Sequence, residues 1–586
     1  MWRLGAILYA WLAMGQTQIL PVGEVRPGMR GAGYTVFAGE KIEQFDVEIL
    51  GVLENAGPKQ AIVLARLAGG PLAHTGVMQG MSGSPVYVNG KLLGAVALAF
   101  SLSKDPIAGI RPFEEMRQPQ AGDQPLRASA DCAGQALLDA RSCTDASLLA
   151  GRPTSFAWGQ TRLTEIATPV SFSGFTQTAL DAFASRMRAL GLEPRQGVTG
   201  GASARLPDGD PRTLRPGAMI SVQLVSGDMS IGAEGTLTHI EGTRVYAFGH
   251  RFISLGDVEM PFASAEVLTL LPNLATSFKI SAARRLMGIV THDYNTAVRG
   301  EIGRKADLIP VSVSVGGGGR ASRYQLEMVR DPVLTPFLLQ MAVFSAIDAT
   351  ERIVGQMSYG VRQRIDFMNA AAVDAYNIYS GDFNVPMLAA QSGAIPLAYS
   401  MQPGFADLRV KRVEINVQAW PGRRQLTIES VTAGRSVAQP GESIPLTVVF
   451  AADGERVTRT IQYPVAAGAP AGNLHFTVAD GPSTNLTELR DLVFAPPKSA
   501  AHVVNLLGRL RGNTQAYLRV WRAEASYKAQ GEDLPAPPPS AAMLLARSEG
   551  PSSGAVNYNS KIAEFPIGVG EFMITGNKTV FVEVKQ

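Results

Sequence analysis

Polar and apolar positions alternate early in the chain. Gln44-Phe45-Asp46-Val47-Glu48-Ile49 puts Phe45, Val47 and Ile49 on one side, the pattern of a half-buried strand. Ala61 to Leu67 reads as a second strand. Val86-Tyr87-Val88-Asn89-Gly90-Lys91-Leu92-Leu93 reads as a hairpin turning at Asn-Gly, and Gly94 to Phe100 continues as a buried strand of small residues. Residues 117–215 change character: they are rich in Ala, Gln, Asp and Arg, and Thr176 to Leu192 has helical periodicity with Gly191 as a stop signal. Strand patterns return over 216–320. Met219 to Leu224 opens one, a second hairpin pairs Gly235–His239 with Thr243–Phe248, and Val311 to Val315 alternates before the glycines 316–319. That glycine run lacks the Lys-Ser/Thr ending of a phosphate loop, so a turn is expected there. Asp331 to Gly355 reads helical. From about 405 short strands resume. Glu442 to Phe450, Asp453-Gly454 and Arg456 to Ile461 have the form of an immunoglobulin-like sandwich hairpin. A helix is expected over Ser499–Arg511, a stiff break at Pro535-Ala536-Pro537-Pro538-Pro539 and a last strand at Lys578–Val584.

Composition narrows the function classes. The 586 residues carry 53 basic and 50 acidic side chains, a near balance that argues against a nucleic-acid binder. Six histidines limit any His-dependent chemistry to His74, His239, His250, His292, His475 and His502. Met1-Trp2-Arg3, the apolar run Leu4–Met14 and small residues Ala13 and Gly15 predict a signal peptide over 1–15, hence an exported protein, periplasmic or extracellular, with no transmembrane segment in the mature chain. An uncleaved anchor is the other reading. Cys132 and Cys143, with ten residues between them, are expected to form a disulfide in that oxidising setting. No zinc spacing of Cys and His occurs and no metal or organic cofactor is expected.

The segment richest in chemistry is Gly80-Met81-Ser82-Gly83-Ser84-Pro85, directly before the Asn-Gly hairpin. A serine held by glycines ahead of a β-hairpin is how a chymotrypsin-like barrel presents its nucleophile. The Gly80 and Ser82 N–H groups would then form the oxyanion hole. A tight Gly/Ser turn without catalytic role is the competing reading of these six residues. Ser84 stands where the usual G-x-S-G-G pattern has its last glycine, and strands rather than a helix follow, which excludes an α/β-hydrolase elbow. A serine nucleophile needs a base. His250, at the end of Tyr246-Ala247-Phe248-Gly249-His250, is the first candidate, ahead of His292, while His74 reads as a loop-rim residue at the substrate edge.

Phe45–Ile49, the ten residues Gly76-Val77-Met78-Gln79-Gly80-Met81-Ser82-Gly83-Ser84-Pro85, Asn89–Val96 and Gly249-His250 together resemble the SpoIVB-type serine peptidases of sporulation stage IV. The likeness covers roughly residues 20–116 and 216–320. It implies a serine endopeptidase with Ser82 as nucleophile and His250 as base, acting on protein or peptide substrates. Three departures stand out. The Ser-bearing half precedes the His-bearing half, in swapped order. The PDZ domain of the family prototype is missing. The prototype's acid, fifteen residues before its serine, falls on Leu67. The third member is therefore open: Asp293, 43 residues after His250, is the first choice, Asp257 and Glu259 are closer in sequence, and a Ser–His dyad is the alternative.

The expected architecture is mainly β. A chymotrypsin-like two-lobed core has its Ser lobe at 16–116 and its His lobe at 216–320, joined by a partly helical insertion at 117–215. A helical or mixed segment (321–404), an immunoglobulin-like β domain (405–470) and an accessory region (471–586) follow, the C-terminal β region being the candidate binder of envelope proteins. The rival to a peptidase is an inactive peptidase-like envelope scaffold.

Overall fold

In the computed structural model the described residues are 17–117, 155–197, 205–486, 499–547 and 555–585, less positions 58, 101, 104, 159–160, 318–319, 351–355, 402–406, 453, 525, 530–531, 535–536 and 558–559. The expected signal peptide and the Cys132–Cys143 disulfide lie outside them. The fold is mainly β, as the alternating patterns require, and forms two compact units that divide after Leu308. No helix among the described residues is long and apolar enough to cross a membrane.

The first unit holds two closed sheets. Strands β1 (Arg30–Ala38), β2 (Lys41–Gly57), β3 (Gln60–Ala68), β4 (Pro85–Val88), β5 (Lys91–Phe100) and β6 (Ile107–Pro112) pair in the order β4-β1-β2-β3-β6-β5, and β5 returns to β4. Closure leaves these strands no free edge. Phe45, Val47 and Ile49 of β2 point into its core beside Val63, Ala65, Leu67, Val86 and Ile110, and the polar residues between them face outward. The β4–β5 turn has Val88 opposite Lys91 with Asn89 and Gly90 at φ 52° and 77°, the two-residue turn that Asn-Gly favours.

The expected insertion contributes strands as well as its helix. β7 (Ser155–Trp158) and β8 (Thr161–Glu165) extend the first sheet from β5. β9 (Thr168–Ser173) and β10 (Leu192–Gln196) lie parallel, connected through the helix Gln177–Ala189, whose N-cap Thr176 accepts from the Ala179 N–H. β9 leads into the second closed sheet. There β11 (Met219–Gly227), β12 (Ser230–Glu241), β13 (Arg244–Ala247), β14 (Gly256–Leu271), β15 (Phe278–Tyr294) and β16 (Ala297–Ile302) run β12-β13-β16-β15-β14-β11 and back to β12. The last strand of this closed ring ends at Ile302, and the alternating strand Ile309–Gly317, expected in the His-bearing lobe, belongs to the second unit.

In the second unit, Ile309–Gly317 pairs with Arg320–Met328 and runs parallel to Val410–Pro421, which continues through Met357–Phe367 to Val373–Gly381. Two apolar helices, Leu334–Thr350 and Val385–Ser400, pack together with these strands. A sandwich follows. Four strands (Glu455–Pro464, Ser443–Ala452, Gln425–Ala433, Met573–Thr575) face five (Val437–Ala438, Asn577–Val584, Gly472–Asp480, Gln515–Arg522, Ser560–Gly568). Ile428, Val448, Phe450, Phe476, Leu518 and Val582 fill the space between. The hairpin read at 442–461 is its first half, and its second sheet draws on residues up to Val584.

Candidate active site

The Ser82 turn is built by the second closed sheet. Within the turn, Met81 N–H donates to Met78 O (3.1 Å), Ser84 N–H to Met81 O (2.9 Å) and Gly83 N–H to Val96 O (2.8 Å). Strand β12 then clamps it. Thr236 N–H donates to Ser82 O (2.8 Å), Thr236 Oγ1 to Gly80 O (2.8 Å) and Thr238 Oγ1 to Gly83 O (2.7 Å). Both threonines are fully buried, so these bonds are unscreened. Gly83 has φ 94°, and a Cβ there would run into the Thr236 carbonyl oxygen and lie 2.6 Å from Phe248 N. Only glycine fits, because the two sheets meet at this residue.

The same contact brings the base candidate alongside. Phe248 N–H donates to Thr236 O (3.3 Å), and a Cβ on Gly249 would stand 3.0 Å from that of Ala95 and 3.2 Å from that of Ala97 on β5. The chain emerging from β13 therefore passes directly beside the Ser82 turn and delivers His250. The His250 ring is 2% exposed. Its Nδ1 is 2.6 Å from the Arg251 carbonyl oxygen. A carbonyl only accepts, so Nδ1 carries the proton and Nε2 presents its lone pair. Burial pushes the proton affinity of His250 below the ordinary value, with Glu165 pulling it up and Arg251 and Arg111 pushing it down. The ring is thus a neutral imidazole with Nε2 as its basic atom.

Three features of the centre bear on chemistry. Ser82 Oγ and His250 Nε2 are both buried without a hydrogen-bond partner among the described residues, and so do not bond each other. The N–H groups of Gly80 and Ser82 have no partner among the described residues. Ser82 itself is 0% exposed, so a substrate reaches it only after the covering residues move. Beside Gly80, at 3.2 Å from a Cβ built there, lie the Lys279 stem and the Met219 methyl. The Lys279 amine donates to Thr35 Oγ1 (2.7 Å), and burial lowers its pKa to about 7.

Residues 14–115 match the family model of the SpoIVB peptidase S55. The match supports the SpoIVB-type serine peptidase family, and its residues include the whole Ser82 turn. The match ends at residue 115, so His250, Asp293 and Glu165 lie beyond it. No curated protein and no solved structure matches the chain.

Asp293 takes a place near His250 but on its backbone. Its carboxylate accepts from Phe252 N–H (2.7 Å), Ile253 N–H (2.7 Å) and Leu255 N–H (3.1 Å), while the His250 Nδ1 proton goes to Arg251 O. Burial raises its proton affinity and the N–H donors oppose that. Asp257 meets His292 Nε2 at 3.5 Å, and Glu259 accepts from Asp307 N–H. Leu67 is a core residue of the first sheet. Sequence reasoning missed Thr236, Thr238, Glu165 and Arg251. The threonines sit in an unremarkable strand, and Glu165 and Arg251 belong to no motif.

Proposed function

We propose that this chain is a serine endopeptidase acting through Ser82 and His250. The observation that carries the proposal is the His250 Nδ1 contact to Arg251 O. It holds a buried neutral imidazole in the tautomer a general base needs, on a segment packed against the Ser82 turn. With a peptide in place, Ser82 Oγ turns toward Nε2 and gives up its proton as it attacks the carbonyl carbon. The Oγ–C bond forms, the carbonyl electron pair moves to oxygen, and the Gly80 and Ser82 N–H groups receive that oxyanion. The protonated His250 then passes its proton to the leaving amine. Water repeats the sequence on the acyl-enzyme and frees Ser82.

Export and a protein substrate in the periplasm or outside the cell belong to the same proposal, as do envelope contacts through the C-terminal sandwich. The second reading, an inactive envelope scaffold on a peptidase frame, is favoured by one observation: Ser82 is sealed from solvent. Labelling with a fluorophosphonate separates the two. A peptidase labels, and Ser82→Ala and His250→Ala do not; a wild type that fails to label supports the scaffold, and equal labelling of all three proteins sinks the Ser82 assignment.

A further inference from the structure

Which acid serves His250 matters only if Ser82 and His250 act as proposed above, and its assignment rests on that reading. When His250 takes the Ser82 proton it becomes a cation in a nearly dry site. Two guanidinium groups already press on it. Arg251 lies on its own loop. Arg111, on β6, is 1% exposed and bonds Gln60 Oε1 and Glu115 Oε2, each at 3.1 Å. A buried cation next to two others needs a carboxylate close by.

Of the carboxylates Glu115, Asp293 and Glu165, two are committed elsewhere. Glu115, on the short helix Phe113–Arg117, holds Arg111 and the Ala61 N–H. Asp293, on β15, is taken up by the backbone of the segment after His250. The third is Glu165, the last residue of β8. It sits opposite Leu98 of β5, and the next residue, Ile166, bonds the Ala97 carbonyl, so the strand end is fixed against the stretch on which Gly249 packs. Glu165 Oε2 is 3.4 Å from Arg251 Nε, the side chains being 6% and 7% exposed. Its other oxygen, Oε1, is buried with no hydrogen-bond partner among the described residues.

We propose that Glu165 is the acidic positioning residue of the site. It anchors Arg251, whose carbonyl holds the His250 Nδ1 proton, and its negative charge offsets the imidazolium formed during attack. The proton remains on His250 until the amine leaves. The acid lost at Leu67 is thereby replaced from a strand outside both the family match and the His loop. Glu165 is also the largest opposing influence on the buried ring, drawing its proton affinity upward against burial.

The test is the rate of fluorophosphonate labelling at Ser82 as a function of pH, for wild type, Glu165→Gln, Glu165→Asp, Asp293→Asn and Ser82→Ala, with thermal unfolding followed in parallel. The Gln variant should label at least ~10-fold more slowly on the plateau. Its inflection should move about 0.5–1 pH unit lower, because the ring loses an anion that favours its protonated form. Glu165→Asp keeps the charge at shorter reach, so its inflection should stay near that of wild type while its rate falls. A merely structural Glu165 would change melting temperature but not the inflection. Wild-type rate and inflection in Glu165→Gln, with Ser82→Ala unlabelled, overturn the role of Glu165 and leave the peptidase standing. If Glu165→Gln does not fold, a wild-type rate in Glu165→Asp overturns it. Failure of wild type to label at Ser82 overturns the peptidase reading and this proposal together.

Discussion

Replacing Asp293 by Asn tests how the His250 loop is held. The carboxylate receives three backbone N–H groups, with Oδ1 serving Phe252 and Oδ2 serving Ile253 and Leu255. Hydrogen bonds to a charged group are worth about 1.5–3 kcal/mol each, neutral ones about 0.5–1.5. An Asn carbonyl oxygen can replace Oδ2 and keep two of the three as weaker bonds. Its NH2 then faces the Phe252 N–H, donor against donor, at a cost of about 1–3 kcal/mol. The expected destabilisation is about 2–5 kcal/mol. Asp293→Ala, which orphans all three donors, should lose more. Urea unfolding monitored by tryptophan fluorescence gives the number, and the labelling rate at Ser82 shows whether the slackened loop still presents His250. An unchanged urea midpoint in Asp293→Asn refutes the brace. A full loss of labelling at wild-type stability would refute it too, and would put Asp293 on the imidazole ring.

Other expectations follow from the same contacts. Gly83→Ala places a Cβ against the Thr236 carbonyl at a positive φ and should cost about 3 kcal/mol or more, with labelling lost; a soluble variant of wild-type melting temperature would contradict the clash. Thr236→Val keeps the shape but removes the donor to Gly80 O, leaving a buried carbonyl unpaired; the expected cost is about 1–3 kcal/mol in urea unfolding. Glu234 is buried and its pKa is raised by that burial to about 8, so the folded chain holds a proton there that the unfolded chain releases near the ordinary value of 4.5. Through this group, stability should fall as pH rises from about 4.5 to 8, and Glu234→Gln should flatten that fall. Urea midpoints at several pH values across the interval check it, and an equal slope in both proteins would be the contrary result.

Much of the fold was legible because its local signals agree with its packing. The alternation at 44–49, the Asn89-Gly90 turn and the helical periodicity that begins at Thr176 are each patterns among near neighbours in the chain. The helix Val385–Ser400 escaped notice since it is apolar on every side and carries Pro396, leaving no amphipathic stripe to read. The strands of 155–196 were hidden in a polar stretch. Their places are set by pairing with β5 and β12, far away in sequence. For the site, Ser82 and His250 stood out by their glycine neighbours. The clamp from Thr236 and Thr238 spans 155 or 156 positions, and Glu165 reaches Arg251 across 86 (251 − 165). Side chains that act on a site only through long-range contacts leave no local spacing, and neither composition nor periodicity marks them.

The central claim is that Ser82 is a nucleophile driven by His250. Its most direct test is mass spectrometry of the protein after fluorophosphonate treatment at neutral pH, with digestion to locate the adduct. The account predicts one adduct, on Ser82, absent from His250→Ala. An adduct on another residue, or one on Ser82 that forms equally fast without His250, would contradict it.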